Sequence, residues 1–264
     1  MKNIITDFII ALNNFNQSGI SDALNFSQMN DALISYHSTA IEGSSLTEEE
    51  TRLFLTEGLT AKGKPFEHHN MVKDHNNALL FVVEQANRKT DISSDLIRKI
   101  NEKVMKTTGG IINTMAGSYD SSLGEFRKSM VHVGARYFSN YQKVPSEVNE
   151  LANDINIKIN DLKDSVSIHN LAFDAHYKLV SIHPFADGNG RTSRLLGNFI
   201  LHYHKQPLVV VFKEDKIDYF NALEETRRHN DINIFRNFMF QQQTKYFEKE
   251  LQKIDNNISG GILL

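Results

Sequence analysis

Apolar residues recur at helical spacing along most of the chain. At the N-terminus Ile4, Ile5, Phe8, Ile9 and Leu12 form one stripe, the pattern of an amphipathic helix packed on a core. Residues 30–43 read as a helix with Leu33, Ile34 and Ile41 inward, stopped by Gly43, because a left-handed position after a helix favours glycine. Thr47 with Glu50 makes a capping box and opens a helix to about Gly58. A long helix follows over 66–88 with Met71, Ala78, Leu79, Val82 and Val83 inward, and Ser94 is placed to cap the next one, through Lys106.

The texture then changes. Residues 107–123 are rich in Gly, Ser, Thr and Asn and read as a loop. Met130-Val131-His132-Val133 and Arg136-Tyr137-Phe138 are β-prone runs around Gly134-Ala135, which predicts a short hairpin. Helical spacing resumes near Pro145 and runs to about Leu162, with Val148, Leu151 and Ile155 inward. Leu171, Ala175, Leu179 and Ile182 mark another helix, which should end near His183 because Pro184 cannot donate within a helix. The next starts at Arg191–Thr192, shows Leu195, Leu196 and Phe199 on one face, and is broken by Pro207. Two more helices, over 214–228 and 232–253, close the bundle and leave NNISGGILL as a frayed tail. The expected class is all-α with one small hairpin.

Composition narrows the function classes. The chain has 264 residues, 40% hydrophobic and 23% charged, enough for a core without staples. It has no cysteine, hence no disulfide framework and no thiolate zinc site. A net charge of -3 gives no electrostatic footprint for nucleic acid. No apolar run approaches the roughly 20 residues of a membrane span. The N-terminal segment carries Asp7 and lacks a small-residue cleavage site, so it reads as a packing helix and the expected location is cytoplasmic.

Candidate chemistry concentrates in Ser181–Leu196, SIHPFADGNGRTSRLL. His183 lies at a helix end, and an unperturbed imidazole pKa of about 6.5 suits a base or proton shuttle. Asp187 offers a hard oxygen ligand for a Mg²⁺ that also touches phosphate. Gly188-Asn189-Gly190 can turn tightly and bring backbone N–H groups to a ligand at a helix N-terminus. Arg191 and Arg194 sit three residues apart, and their forks match phosphate oxygens. Taken singly, a helix-end histidine, a Gly-Asn-Gly turn and two arginines are ordinary structural features; in this order they describe a polyanion held beside a base. Two other patterns carry nothing. Gly58–Lys64 mimics a P-loop but is followed by Pro65 and preceded by a helix, so it reads as a loop. His169, His176 and His183 are seven apart, about 10.5 Å of helix rise, too far to share a metal.

HPFADGNGRTSR resembles the signature of the Fic family, His-Pro-Phe-x-Asp/Glu-Gly-Asn-Gly/Lys-Arg-x-x-Arg, with every fixed position filled. The resemblance implies a Fic-like helical bundle, one domain over 1–264, with N-terminal helices over about 1–60, a core over about 61–250 and a tail over about 251–264. It implies AMP transfer from ATP to a Ser, Thr or Tyr hydroxyl of a target protein, the chain itself included. His183 would deprotonate the hydroxyl and Asp187 would hold Mg²⁺ against the α- and β-phosphates. Gly188, Asn189 and Gly190 would cradle the anion, with Arg191 and Arg194 on the β- and γ-phosphates. Ser38-Thr39-Ala40-Ile41-Glu42-Gly43 resembles the family's inhibitory pattern, Ser/Thr-x-x-x-Glu-Gly/Asn. That implies a brake in which Ser38, Glu42 and Gly43 bring the Glu42 carboxylate onto Arg194. The hairpin with Met130, Val131, His132 and Val133 resembles the family's flap, which pairs with an extended segment of the target.

Other readings compete with AMP transfer. Relatives of this fold move a phosphate or another nucleotide, although Gly190 stands where the phosphate-transferring branch tends to carry Lys. Self-inhibited members also remove AMP, with the inhibitory glutamate positioning a water. A catalytically idle nucleotide-binding module is a third reading, against which His183 and Asp187 weigh. A DNA-binding regulator is disfavoured by charge and by the short C-terminus. A homo-oligomer is compatible with the sequence.

Overall fold

The computed structural model describes residues 3–22, 26–133 and 136–259. The N-terminal half holds α1 (Ile4–Gln17), α2 (Phe26–Ile41), α3 (Glu48–Glu57), α4 (Phe66–Asn87) and α5 (Ser94–Val104). Two antiparallel hairpins follow, β1 (Ile111–Thr114) with β2 (Gly117–Asp120) and β3 (His132–Val133) with β4 (Arg136–Tyr137). The rest is helical: α6 (Val144–Ile159), α7 (Ser165–Ile182), α8 (Asn189–Tyr203), α9 (Lys216–His229) and α10 (Ile232–Ser259). The all-α class therefore holds. None of the described helices is long and apolar enough to cross a membrane.

The bundle is built around α8. Every residue from Arg191 to Leu201 is buried, because α7, α4, α5 and α2 all pack on this helix. A helix covered on all sides loses the usual polar face, so the polar residues at its start need partners or a ligand. α1 closes the opposite side of the core against α10, with Phe8 edge-on to Phe240 at 4.9 Å and Phe15 4.8 Å from Phe247. Each such phenylalanine contributes about 1.5–3 kcal/mol on burial.

The packing of α2 is the part of the fold that matters most for the site. The Lys213 N–H donates to His37 Nδ1 at 3.1 Å, and His75 Nδ1 lies 3.1 Å from Ser35 Oγ. These contacts fix α2 from both sides and aim its C-terminal end at the start of α8.

Several boundaries differ from the sequence expectation. The stretch 107–123 is not all loop: β1 and β2 pair in register from Ile111–Asp120 to Thr114–Gly117. Its strands are short and Tyr119 is their one buried residue, so backbone pairing holds them and no run of buried apolar positions marks them in the sequence. The cap of α5 is Ser93, whose side chain accepts from Leu96 N–H, not Ser94. α6 ends at Ile159, short of Leu162, and α8 begins at Asn189, ahead of Arg191. The expected frayed tail is helical as far as Ser259; residues 260–264 lie outside the described residues, as do Gly134 and Ala135, around which the sequence predicts the hairpin.

Candidate active site

The α7–α8 connection gathers the chemistry. α7 stops at Ile182, and His183 adopts a left-handed conformation, φ 54° and ψ 59°, with its N–H on Leu179 O. A non-glycine residue there costs about 1–2 kcal/mol, so the surroundings must enforce it. Phe185 is buried and anchors the loop. Asn189 closes a ring with it: Asn189 Oδ1 accepts from Phe185 N–H and Asn189 Nδ2 donates to Phe185 O, both at 2.9 Å. The Asn189 side chain is thus spent on the loop, which leaves its backbone N–H as the group it can offer a ligand. Gly188 has φ 77°, and a Cβ there would come within 2.8 Å of Asn101 Nδ2. Asn101, from α5, donates to Asp187 O and to Thr192 Oγ1, each at 3.1 Å, and locks the loop from below.

The start of α8 is open. No side chain caps it, and Asn189, Gly190 and Arg191 hold N–H groups that a helix cannot satisfy internally. Arg191 is buried, with Nη2 3.2 Å from Asp187 Oδ2 and 3.4 Å from Met105 Sδ. Its Nε and Nη1 have no acceptor among the described residues. Buried guanidinium donors without partners at a helix N-terminus make an anion site. The Asp187 carboxylate stands at the mouth of this site with its side chain 68% exposed. Among the described residues no group of three or more His, Cys, Asp or Glu could hold a metal ion. One exposed carboxylate beside a phosphate site still fits Mg²⁺, which commonly takes a single protein carboxylate plus substrate phosphates.

Arg194 points the other way, into α2. Its Nε donates to Ser38 Oγ at 2.9 Å, and its Nη2 donates to Ser38 O at 2.9 Å and to Glu42 Oε1 at 2.7 Å. Ser38 and Glu42, more than 150 residues away in the sequence, therefore meet Arg194, the contact that the resemblance implies. Gly43 follows with φ 108° and turns the chain away. Gly190 lies under the same carboxylate: a Cβ there would overlap Glu42 Oε1 and sit 3.1 Å from Arg194 Nη1. Beneath Arg194 lie His75 and His176. Burial, followed by the Arg194 charge, pushes both well below the ordinary histidine range. His176 Nε2 lies 2.8 Å from Tyr219 OH, and His169 Nδ1 lies 2.7 Å from Ser165 O, so both histidines are structural, as expected.

The flap hairpin sits over His183. Phe138, just beyond β4, stacks on the imidazole at 4.1 Å. Burial is the largest influence on the His183 pKa, which falls to about 4; a hydrogen bond to the Val180 backbone opposes it, Arg127 and Arg136 lower it further, and Asp187 raises it slightly. The imidazole is therefore neutral at pH 7. Met130 and Tyr137 of the hairpin are exposed, and Val131 is partly so. Sequence reasoning missed Arg127, Phe138 and Asn101. Their signals were faint, an arginine in Gly124-Glu125-Phe126-Arg127 and an amide on an otherwise amphipathic helix.

Comparison with known proteins agrees with this geometry. Residues 91–201 match the model of the Fic/DOC family. The protein adenylyltransferase Fic of Drosophila melanogaster is 32% identical over 206 residues, covering 77% of this chain and 39% of that protein. The chain thus spans well under half the length of the curated relatives it matches. A Fic domain containing signaling protein from Bacteroides thetaiotaomicron superimposes with a TM-score of 0.75 at 23% identity, covering 99% of this chain and all of that one. Residues 134–508 of Fic-1 from C. elegans give a TM-score of 0.75 at 24% identity, over 96% of this chain and 72% of that one. The signature loop and the helix it opens lie inside the matched segment, and residues 91–201 form a domain of the Fic/DOC family.

Proposed function

We propose that the protein transfers AMP from ATP to a hydroxyl side chain of a target protein. The observation that carries this reading is the juxtaposition at one loop of a neutral His183 with the open N-terminus of α8 and the unpartnered Nε and Nη1 of Arg191. Name and reaction class of the Drosophila relatives support it.

The step follows from the donors present. Backbone N–H groups of Asn189, Gly190 and Arg191 hold the phosphate chain, with the Arg191 guanidinium behind them. Asp187 is the residue that would hold Mg²⁺, which when bound neutralises charge on the phosphates. The target oxygen attacks the α-phosphorus, its proton passes to the His183 imidazole, and the bond from the α-phosphorus to the bridging oxygen breaks. Pyrophosphate leaves and AMP remains ester-linked to the protein. Positioning and charge neutralisation supply most of the rate in such transfers.

Glu42 is the brake in this reading. With Arg194 engaged by Ser38 and Glu42, that arginine is withheld from the terminal phosphate and the Glu42 carboxylate repels it. The β3–β4 edge offers backbone groups to an extended target segment, beside Met130, Val131, His132 and Val133.

Intact mass after incubation with ATP and Mg²⁺ tests the reading on wild type, Glu42→Gly and Glu42→Gly/His183→Ala, each alone and with cell lysate as a source of targets. An AMP adduct that appears with Glu42→Gly and vanishes with the second change is the expected result. A phosphate adduct, or AMP transfer that survives loss of His183, would overturn it.

A further inference from the structure

The buried side chain of Arg127 is the strongest feature that the proposed reaction leaves unused. It precedes the flap in sequence, is 1% exposed, and spends its guanidinium on three backbone carbonyls. Nε donates to His183 O at 2.8 Å, Nη1 to Ser129 O at 2.7 Å and Nη2 to Ser139 O at 2.6 Å. Its own N–H donates to Pro184 O at 3.0 Å. Ser129 and Ser139 are the two roots of the flap, one before β3 and one after β4.

We propose that Arg127 is a positioning residue for His183, joining both roots of the flap to the carbonyl of the catalytic histidine so that seating of the flap and placement of the imidazole are one event. The proposal rests on the function above only where it concerns rate.

His183 is in a left-handed conformation that an isolated chain avoids, and a charge-assisted bond to its carbonyl holds it there. The guanidinium is planar and rigid, so three bonds from one fork fix three chain segments relative to one another. The flap then returns to the same histidine through Phe138, whose ring stacks on the imidazole while its N–H donates to Val131 O at 3.2 Å across the flap. Backbone and ring of His183 are thus both held by the flap, one through Arg127 and one through Phe138. An ammonium cannot replace this arrangement: a lysine offers a single point charge and no planar fork.

The test is NMR of histidine-labelled protein, with His183 assigned by its loss in His183→Ala. Arg127→Lys and Phe138→Leu are compared with wild type, alongside amide exchange across residues 129–139. For Arg127→Lys, a shift of the His183 imidazole signals is expected together with at least ~10-fold faster exchange at the flap roots. In the Glu42→Gly background the same change should lower kcat about 100-fold, the scale for a catalytic group displaced by ~1 Å, with KM for ATP within about twofold. Phe138→Leu should move the His183 signals while the flap roots stay protected. A folded Arg127→Lys protein with faster flap exchange but unmoved His183 signals overturns the proposal. If Arg127→Lys does not fold, wild type decides: the Arg127 Nε–H and Nη–H signals must be separately resolved and slow to exchange, and a single averaged Nη signal would refute the three-carbonyl clamp. Absence of transfer in Glu42→Gly alone would count against the proposed reaction and leave the NMR result standing.

Discussion

Glu42 Oε1 lies 2.7 Å from Arg194 Nη2, an ion pair between the end of α2 and the second turn of α8 with Glu42 28% exposed and Arg194 buried. The pair is supported by two further bonds from Arg194 to Ser38. In the proposed reaction its position makes it a lock as well as a contact, because the same guanidinium would be one of two that hold the phosphate chain. Glu42→Gly should therefore raise AMP transfer or self-modification by at least ~10-fold. It should cost about 1–3 kcal/mol, since a mostly buried arginine loses its carboxylate but keeps Ser38. ATP should recover part of that loss in a thermal shift, and a larger ATP shift in wild type than in Glu42→Gly would contradict the lock.

Gly190 offers an independent route to the same outcome. It sits in the right-handed first turn of α8, so its backbone needs no glycine; what needs glycine is the Glu42 carboxylate above it. In Gly190→Ala the added methyl overlaps Glu42 Oε1, the free end of a flexible side chain that can swing out. The variant is expected to fold with a midpoint within a few degrees of wild type and to show transfer activity approaching that of Glu42→Gly. Combining the two changes should give no further increase. Activity of Gly190→Ala equal to that of the braked wild type would show that the carboxylate shares the space.

At His183 the backbone and the imidazole make separable predictions. His183→Ala should abolish transfer while the far-UV spectrum is retained. His183→Gly should be equally inactive but at least as stable as the alanine variant, because the left-handed φ of 54° reverses the usual helix-interior penalty of about 0.5–1 kcal/mol for glycine against alanine. Melting temperatures of the two variants check this.

Acid stability follows from the buried histidines. Burial pushes His37, His169 and His183 each down to about 4, below their unfolded value of about 6.5. Between those values the unfolded chain binds more protons, so stability rises with pH there: the contribution is complete above about 6.5 and is lost as pH falls toward 4. Asp31, raised by burial to about 6, acts in the opposite sense and offsets part of the trend. Denaturant midpoints should fall steadily from pH 7 to pH 4.5, and His169→Phe should flatten the slope if it packs against Phe8, Phe173 and Phe240 as the histidine does. An unchanged slope in that variant would exclude His169 as a contributor.

The sequence alone determined the helical class, the presence of a loop beginning at His183 and the identity of most side chains around the site. Those features are local. Apolar spacing selects helices, Pro184 ends α7, and one run of twelve residues carries a base, an acid, a glycine turn and two arginines. The pairing of Ser38 and Glu42 with Arg194 was legible only through resemblance, since nothing in the spacing of α2 names its partner. Tertiary structure decided the rest. The β1–β2 hairpin lacks a buried face to mark it, and Asn189 turned out to brace the loop through Phe185 instead of offering its amide outward. The junction of the flap roots with His183 is the clearest case. Arg127 becomes meaningful only where folding brings three carbonyls from separate segments within reach of one guanidinium, and no periodicity along the chain encodes that convergence.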